Sequence, residues 1–361
     1  MKKLMKTLVG AAAVLAVGLS ASAYAESHGG KTKVGFIYLG PIGDHGWTYQ
    51  HNEGRLAVER AFGDKVETKY LENVSEGPDA ARAIERLARE GHDIIFTTSF
   101  GYMNPTLKVA KKYPNVKFEH ATGYKQSANV ATYSSRFYEG RYIIGQIAAK
   151  MSKTGTAGYI ASFPIPEVVR GINAFMLGAQ SIDPDFKLKV VWVNTWYNPG
   201  QEADAAKALI DQGVDIITQH TDSAAALQVA QKRNVKAFGQ ASDMIAFAPE
   251  TQLTAIVDNW SDYYVSRVQA VMDGTWESGD TWGGIESTMV AMAKYTNLPD
   301  DVIAAAKDTE EQIRSGKLHP FAGPITKQDG TQLVAEGETV DDGTLLGMKF
   351  YVMGVDGDLP E

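Results

Sequence analysis

The 361-residue chain contains no cysteine. It has no disulfide framework, no thiolate nucleophile, no cysteine metal ligand and no thiol for a lipid anchor. Beyond the N-terminus, no segment approaches the roughly 18 apolar residues that a membrane span needs. There is no G-x-S-x-G elbow, H-E-x-x-H pair, P-loop or G-x-G-x-x-G turn, so the common signatures of serine hydrolases, zinc proteases and nucleotide enzymes are missing. Positive charge is scarce too: 35 Lys and Arg stand against 43 Asp and Glu, a net charge of −8. Nucleic acid and anionic membranes both call for a basic face, and neither is expected as a partner.

What is present begins with an export signal. Lys2, Lys3 and Lys6 precede the apolar run "TLVGAAAVLAVGLSA", and "AYA" ending at Ala25 is an A-x-A cleavage site. The mature chain is expected to start near Glu26 and to reside in the periplasm. Removing three lysines and no acid leaves 336 residues with a net charge of −11. That length suggests two domains.

Short β-rich runs then alternate with Ala-rich helical ones. Strands are predicted at 33–39, 65–71, 93–99, 116–122 and 130–134, with helices near 47–62, 77–90 and 104–113. Continuous apolar strands separated by helices read as βαβ units on a parallel sheet covered on both faces. The pattern restarts with strands at 155–162, 188–194, 214–220, 235–240 and 253–258 and helices near 165–181, 199–212 and 221–233. "GHDIIFTTSF" (91–100) and "GVDIITQHTD" (213–222) look like matching parts of two half-copies. The turn-rich stretch 318–338 predicts a hairpin.

Two α/β lobes place two sets of strand ends face to face, and ligands of open α/β sheets bind outside those ends. The candidates are the side chains found there. Asp44 and Trp47 follow the first strand, in the loop "GPIGDHGWTYQHNEG". Phe100, Tyr102 and Asn104 follow the third, and Phe163 follows "GYIAS". Trp196 and Asn198 lie in "NTWYNPGQE", with Asp222, Asp243 and Asp258 at three later strand ends. Each also has a structural reading: Trp196 as a packing residue between lobes, Asp222 and Asp258 as helix N-caps. His45 and His51 are six residues apart, whereas a metal pair on one helix face would be four apart, and no metal or cofactor is expected. An aromatic cleft with a few acids suits a flat, uncharged or weakly cationic ring bearing hydrogen-bond donors. A phosphate or carboxylate would call for Arg or Lys.

The ordered motifs resemble the basic membrane protein family of ABC-transporter substrate-binding proteins. The first loop of that family, D-x-x-F-N-x-x-x-x-x-G, is similar to "DHGWTYQHNEG", with Trp47 at the Phe position and Thr48 at the Asn. "GYIASFPIPEVVRG", "VNTWYNPGQE", "DQGVDIITQ", "FGQASD" and "FAGPITKQDG" resemble its later motifs. The resemblance implies a type I periplasmic-binding fold, two doubly wound parallel-sheet lobes joined by a hinge. It divides the chain into an N-terminal lobe, 32–134 plus about 259–285, and a C-terminal lobe, 135–258 plus about 315–361.

It also implies a monomer that delivers a small molecule to an inner-membrane ABC permease, most commonly a purine nucleoside or nucleobase, with riboflavin for some members. The base would be sandwiched by Trp47 and Trp196, with polar contacts from Asp44 and Asp243. One departure stands out: "AIVDN" puts Asp258 where many members have Lys. An acid accepts from N–H groups where a Lys donates to ribose oxygens, so a free aminopurine such as adenine is expected over a nucleoside. The competing readings are a periplasmic nucleoside hydrolase using Asp44 and Asp258 as paired acids, and the same transport role with a flavin, sugar or signalling lipid.

Overall fold

The computed structural model describes residues 30–360; the expected export signal over 1–25 lies outside them. The first run comprises β1 (Thr32–Ile37), α1 (Trp47–Phe62), β2 (Val66–Leu71), α2 (Pro78–Arg89), β3 (Ile94–Thr97), α3 (Met103–Ala110), β4 (Lys117–Ala121) and β5 (Val130–Ser135). The second comprises α4 (Tyr138–Met151), β6 (Thr156–Ala161), α5 (Pro166–Gln180), β7 (Lys187–Trp192), α6 (Pro199–Asp211), β8 (Ile216–His220), α7 (Ala225–Arg233), β9 (Lys236–Ala241) and β10 (Gln252–Asp258). The chain ends with α8 (Ser261–Met272), β11 (Asp280–Gly283), β12 (Val290–Met292), α9 (Asp300–Arg314), β13 (Ile325–Thr326), β14 (Gln332–Val334), α10 (Asp342–Leu346) and β15 (Val355–Asp356).

Local chemistry accounts for these elements. In α2, Pro78 opens the helix after Gly77, and Ala80, Ile84, Leu87 and Ala88 share the buried face. β3 begins with the apolar run Ile94–Phe96 and is buried along its whole length, as a central parallel strand requires. The predicted hairpin is the antiparallel pair β13–β14.

One sheet has the order β11-β5-β4-β3-β1-β2 and is parallel throughout. The other has the order β12-β10-β9-β8-β6-β7-β15, with β12 as its antiparallel strand. Both are doubly wound, and this is the two-lobed type I periplasmic-binding fold. In each sheet the strand order reverses beside its first strand, between β1 and β3 and between β6 and β8. A ligand crevice opens at such switch points.

Helices α4 and α9 were not expected from the pattern. Both close the second lobe. α4 packs tightly on α5 because Gly145 and Gly178 bring the backbones together: a Cβ at Gly145 would lie 2.0 Å from Phe175 O, and one at Gly178 2.1 Å from Tyr142 O. Such spacing is set by the partner helix and leaves little trace in hydrophobic periodicity.

The chain crosses between lobes three times, after β5, after β10 and after β11. The crossings bond to one another: Arg136 N donates to Gly283 O at 2.6 Å, and Asn259 N to Met289 O at 2.9 Å. Ser135 Oγ donates to Asp258 Oδ1 at 2.7 Å. After the second crossing, α8 packs on α1, and β11 pairs with β5 at the edge of the first sheet.

Candidate functional site: the interlobe cavity

The C-terminal ends of both sheets line a cavity between the lobes. Leu39 and Trp47 come from the loop and helix after β1, Ser99 and Phe100 from the end of β3, and Thr122 from the end of β4. The other lobe contributes Glu167 after β6, Trp196 after β7, His220 and Asp222 at the end of β8, and Gln240 on β9. The strands flanking both switch points therefore supply most of the wall.

Trp47 opens α1 and is fixed on several sides. Its Nε1 donates to Thr98 O at 2.7 Å. Its ring meets His51 edge-on at 4.4 Å and Trp260 at 5.8 Å. His51 stacks on Trp260 at 5.0 Å and shares a 2.5 Å hydrogen bond with the Tyr264 hydroxyl through Nδ1. Burial holds the His51 pKa well below the usual histidine range, so the ring is neutral. Opposite, Trp196 leans on Phe163 at 5.3 Å, and its carbonyl accepts the backbone N–H of Asp222 at 2.9 Å. One indole thus comes from each lobe.

The polar wall is acidic. Asp222 is 5% exposed, and no donor reaches its carboxyl among the described residues. Burial, followed by the charges of Asp44, Glu202, Asp258 and Glu167, holds its pKa well above the usual aspartate range. Glu167 is likewise without a hydrogen-bond donor, and burial raises its pKa against the pull of Arg170 and Arg141. The nearby cations are engaged elsewhere. Fully buried Arg141 donates to Thr218 Oγ1 at 3.1 Å, to Gln219 O at 2.8 Å and to Gln240 Oε1. That last bond occupies the Gln240 carbonyl and leaves its NH₂ as a donor. Burial, then Arg141 and Arg170, lowers the His220 pKa, so that ring is neutral too.

Of the residues expected from strand ends, Trp47, Phe100, Trp196 and Asp222 line this cavity, and Phe163 supports Trp196 from behind. The others are placed elsewhere. Asp44 turns back on its own chain and accepts the N–H groups of Gly46, Thr48 and Tyr49, each at 2.9 Å. It holds the first turn of α1, as a short acid at a helix start readily does. Tyr102 is fully buried in the first lobe, its hydroxyl bonded to Val74 O. Asn104 is exposed on α3. Asn198 is the N-cap of α6, accepting Gln201 N at 3.1 Å. Asp243 is exposed and accepts Gln252 Nε2 at 2.7 Å. Asp258 is 1% exposed, bonds Ser135 between two crossing strands, and lies outside the cavity lining. It does not cap α8, which starts at Ser261.

Leu39, Ser99, Thr122, Glu167, His220 and Gln240 were not among the expected residues. Ser99 and His220 each precede one that was, and Thr122 closes a predicted strand. Glu167 falls inside the run read as the body of a helix, although it faces the cavity from the first turn of α5.

The comparisons with known proteins agree with this architecture. Residues 31–323 match the model of the family described as Bmp, ABC transporter substrate-binding protein PnrA-like. A purine-binding protein of Brucella abortus is 65% identical over 343 residues, covering 95% of this chain and 97% of its own. A Haloferax volcanii relative named for glucose binding in an ABC transporter is 38% identical over 335 residues, 92% of this chain and 83% of its own. A solute-binding protein of an Aeropyrum pernix ABC transporter superposes with a TM-score of 0.69 at 17% identity, covering 87% of this chain and 95% of that one; it shares the fold. The chain belongs to the PnrA-like Bmp family of ABC-transporter substrate-binding proteins.

Proposed function

We propose that the protein captures a purine in the interlobe cavity and delivers it to an inner-membrane ABC permease, with a nucleobase such as adenine favoured over a nucleoside. The observation that carries this reading is the cavity wall. It sets one indole from each lobe beside two carboxyls that have no protein donor among the described residues, Asp222 and Glu167. Flat rings stack on indoles, and exocyclic amines and ring N–H groups supply donors to carboxyls. The name of the Brucella relative supports the same class of ligand. The paired-acid hydrolase reading finds no support in the geometry, because Asp44 and Asp258 are bonded elsewhere and neither lines the cavity.

Mass spectrometry of small molecules released from the purified, denatured protein tests the proposal. A purine base is the expected species. A nucleoside would overturn the preference for a base, and glucose would overturn the purine reading. The indoles give a second check. Stacking on one base is worth roughly 1–3 kcal/mol, so Trp47→Ala and Trp196→Ala should each weaken adenine binding about 5- to 150-fold in calorimetry. Unchanged affinity in both variants would exclude the sandwich.

We also propose that residues 1–25 are removed on export and that the mature chain works in the periplasm as a monomer. No helix among the described residues is long and apolar enough to cross a membrane. N-terminal sequencing of the exported protein should begin at or near Glu26, and an intact Met1 would overturn the cleavage.

A further inference from the structure

Asp222 and Glu167, unlike the acids around them, lack a hydrogen-bond donor among the described residues. Asp44 accepts three backbone N–H groups. Glu202 accepts Asn198 N at 2.9 Å, Ser223 N at 3.0 Å and Ser223 Oγ at 2.7 Å. Asp258 accepts Ser135 Oγ. Asp222 is as buried as these and lines the cavity. The charged and titratable groups near it are Asp44, Glu167, Glu202, Asp258, Tyr197, His220, Arg141 and Arg170. Neither arginine forms a salt bridge with it: Arg141 is occupied as described, and Arg170 Nη1 donates to Leu345 O at 2.7 Å. No protein donor among the described residues reaches the Asp222 carboxyl, which leaves it open to a ligand's donor.

A carboxyl offers two different edges. Ionised, it presents two acceptors; protonated, it presents a donor beside an acceptor. The first complements two adjacent N–H donors, as guanine offers at N1 and its 2-amino group. The second complements a ring nitrogen beside an amino group, as adenine offers. We infer that Asp222 pairs edge-on with the base and that its proton decides which purine the cavity prefers. This inference rests on the purine reading above. Burial and the surrounding carboxylates keep the protonated form available far above the usual aspartate range. Adenine is then the ligand of the neutral acid, and guanine that of the carboxylate.

The test measures adenine and guanine binding to the whole mature chain, by competition in tryptophan fluorescence, from about pH 5 to about pH 9. The adenine-to-guanine affinity ratio should fall at least about tenfold as pH rises, because each tenfold step needs only 1.4 kcal/mol. Asp222→Asn places a permanent donor beside an acceptor, the pairing that an Asn amide makes with adenine. That variant should favour adenine at every pH, with a flat ratio. A flat ratio in the parent would overturn the inference, as would an Asn variant that binds guanine as tightly as the parent does. Binding of neither base at any pH would overturn the purine reading, and this inference with it.

The ligand-free protein supplies a readout independent of binding. An acid whose pKa is raised on folding adds stability that is complete below its unfolded value and is lost as pH rises through the folded one. Asp222→Asn should therefore raise the melting temperature at neutral pH and have little effect in acid. No gain at neutral pH would show that Asp222 carries no unfavourable charge there, and would overturn the proton-controlled preference.

Discussion

Gly46→Ala is expected to weaken ligand binding by about 100-fold or more, roughly 2.7 kcal/mol, while each lobe remains folded. Gly46 precedes α1 in the first lobe, and Asp222 follows β8 in the second. A Cβ at Gly46 would lie 2.3 Å from Asp222 O, 3.0 Å from its carbonyl carbon and 3.1 Å from its Cα. All three are backbone atoms, so no side-chain rotation relieves the clash. The lobes also meet beside this point, where Ser242 Oγ bonds to His45 O and the His45 ring packs on Phe247 at 4.7 Å.

One added methyl group therefore acts on the approach of the lobes rather than on either core. If it cuts the fraction of molecules able to close to about one in a hundred, the apparent affinity falls by the same factor. Calorimetry should show the loss, and X-ray scattering should show a variant that stays extended in saturating ligand. Parental affinity in the Ala variant would mean that the ligand is held without this contact.

Glu119→Ala carries the largest expected cost in stability, about 3–5 kcal/mol, because it strands buried donors around a vanished acceptor. Glu119 is fully buried on β4. Its carboxyl accepts the Tyr263 hydroxyl at 2.6 Å, Arg267 Nε at 2.5 Å and Trp276 Nε1 at 2.6 Å. These bonds fasten α8 and the segment after it to the first lobe once the chain has crossed back. Burial raises the Glu119 pKa, while Arg267 and the three donors oppose that shift. Glu119→Gln keeps one acceptor and should fall between the parent and the Ala variant. Denaturant titration checks the order. An Ala variant within about 1 kcal/mol of the parent would show that packing alone holds α8.

The same residues show how far the sequence could be read. Alternation of apolar strands with helices exposed two α/β lobes, because βαβ units impose a long-range period that local propensity reflects. The rule that ligands sit beyond strand ends then led to Trp47, Phe100, Trp196 and Asp222, since indoles at strand ends need a cover. It also pointed to Asp44, Asn198, Asp243 and Asp258, which lie outside the cavity lining for a shared reason. A short polar side chain at a strand end can satisfy a neighbouring backbone or side-chain donor as readily as a ligand. The sequence lists the acceptor but not the donor that reaches it first.

Composition and pattern alone therefore determined the fold class, the two lobes, the absence of thiol chemistry and a cleft rich in aromatic side chains. These follow from which side chains exist and how often they recur. Tertiary structure decided which acids face the cavity, because that depends on where donors from distant segments arrive. Ser135 takes Asp258 from 123 residues away, three backbone N–H groups take Asp44, and none reaches Asp222 among the described residues. It also brought in Glu167 and Gln240, whose orientation comes from the packing of α5 and from the hold of Arg141 on β9.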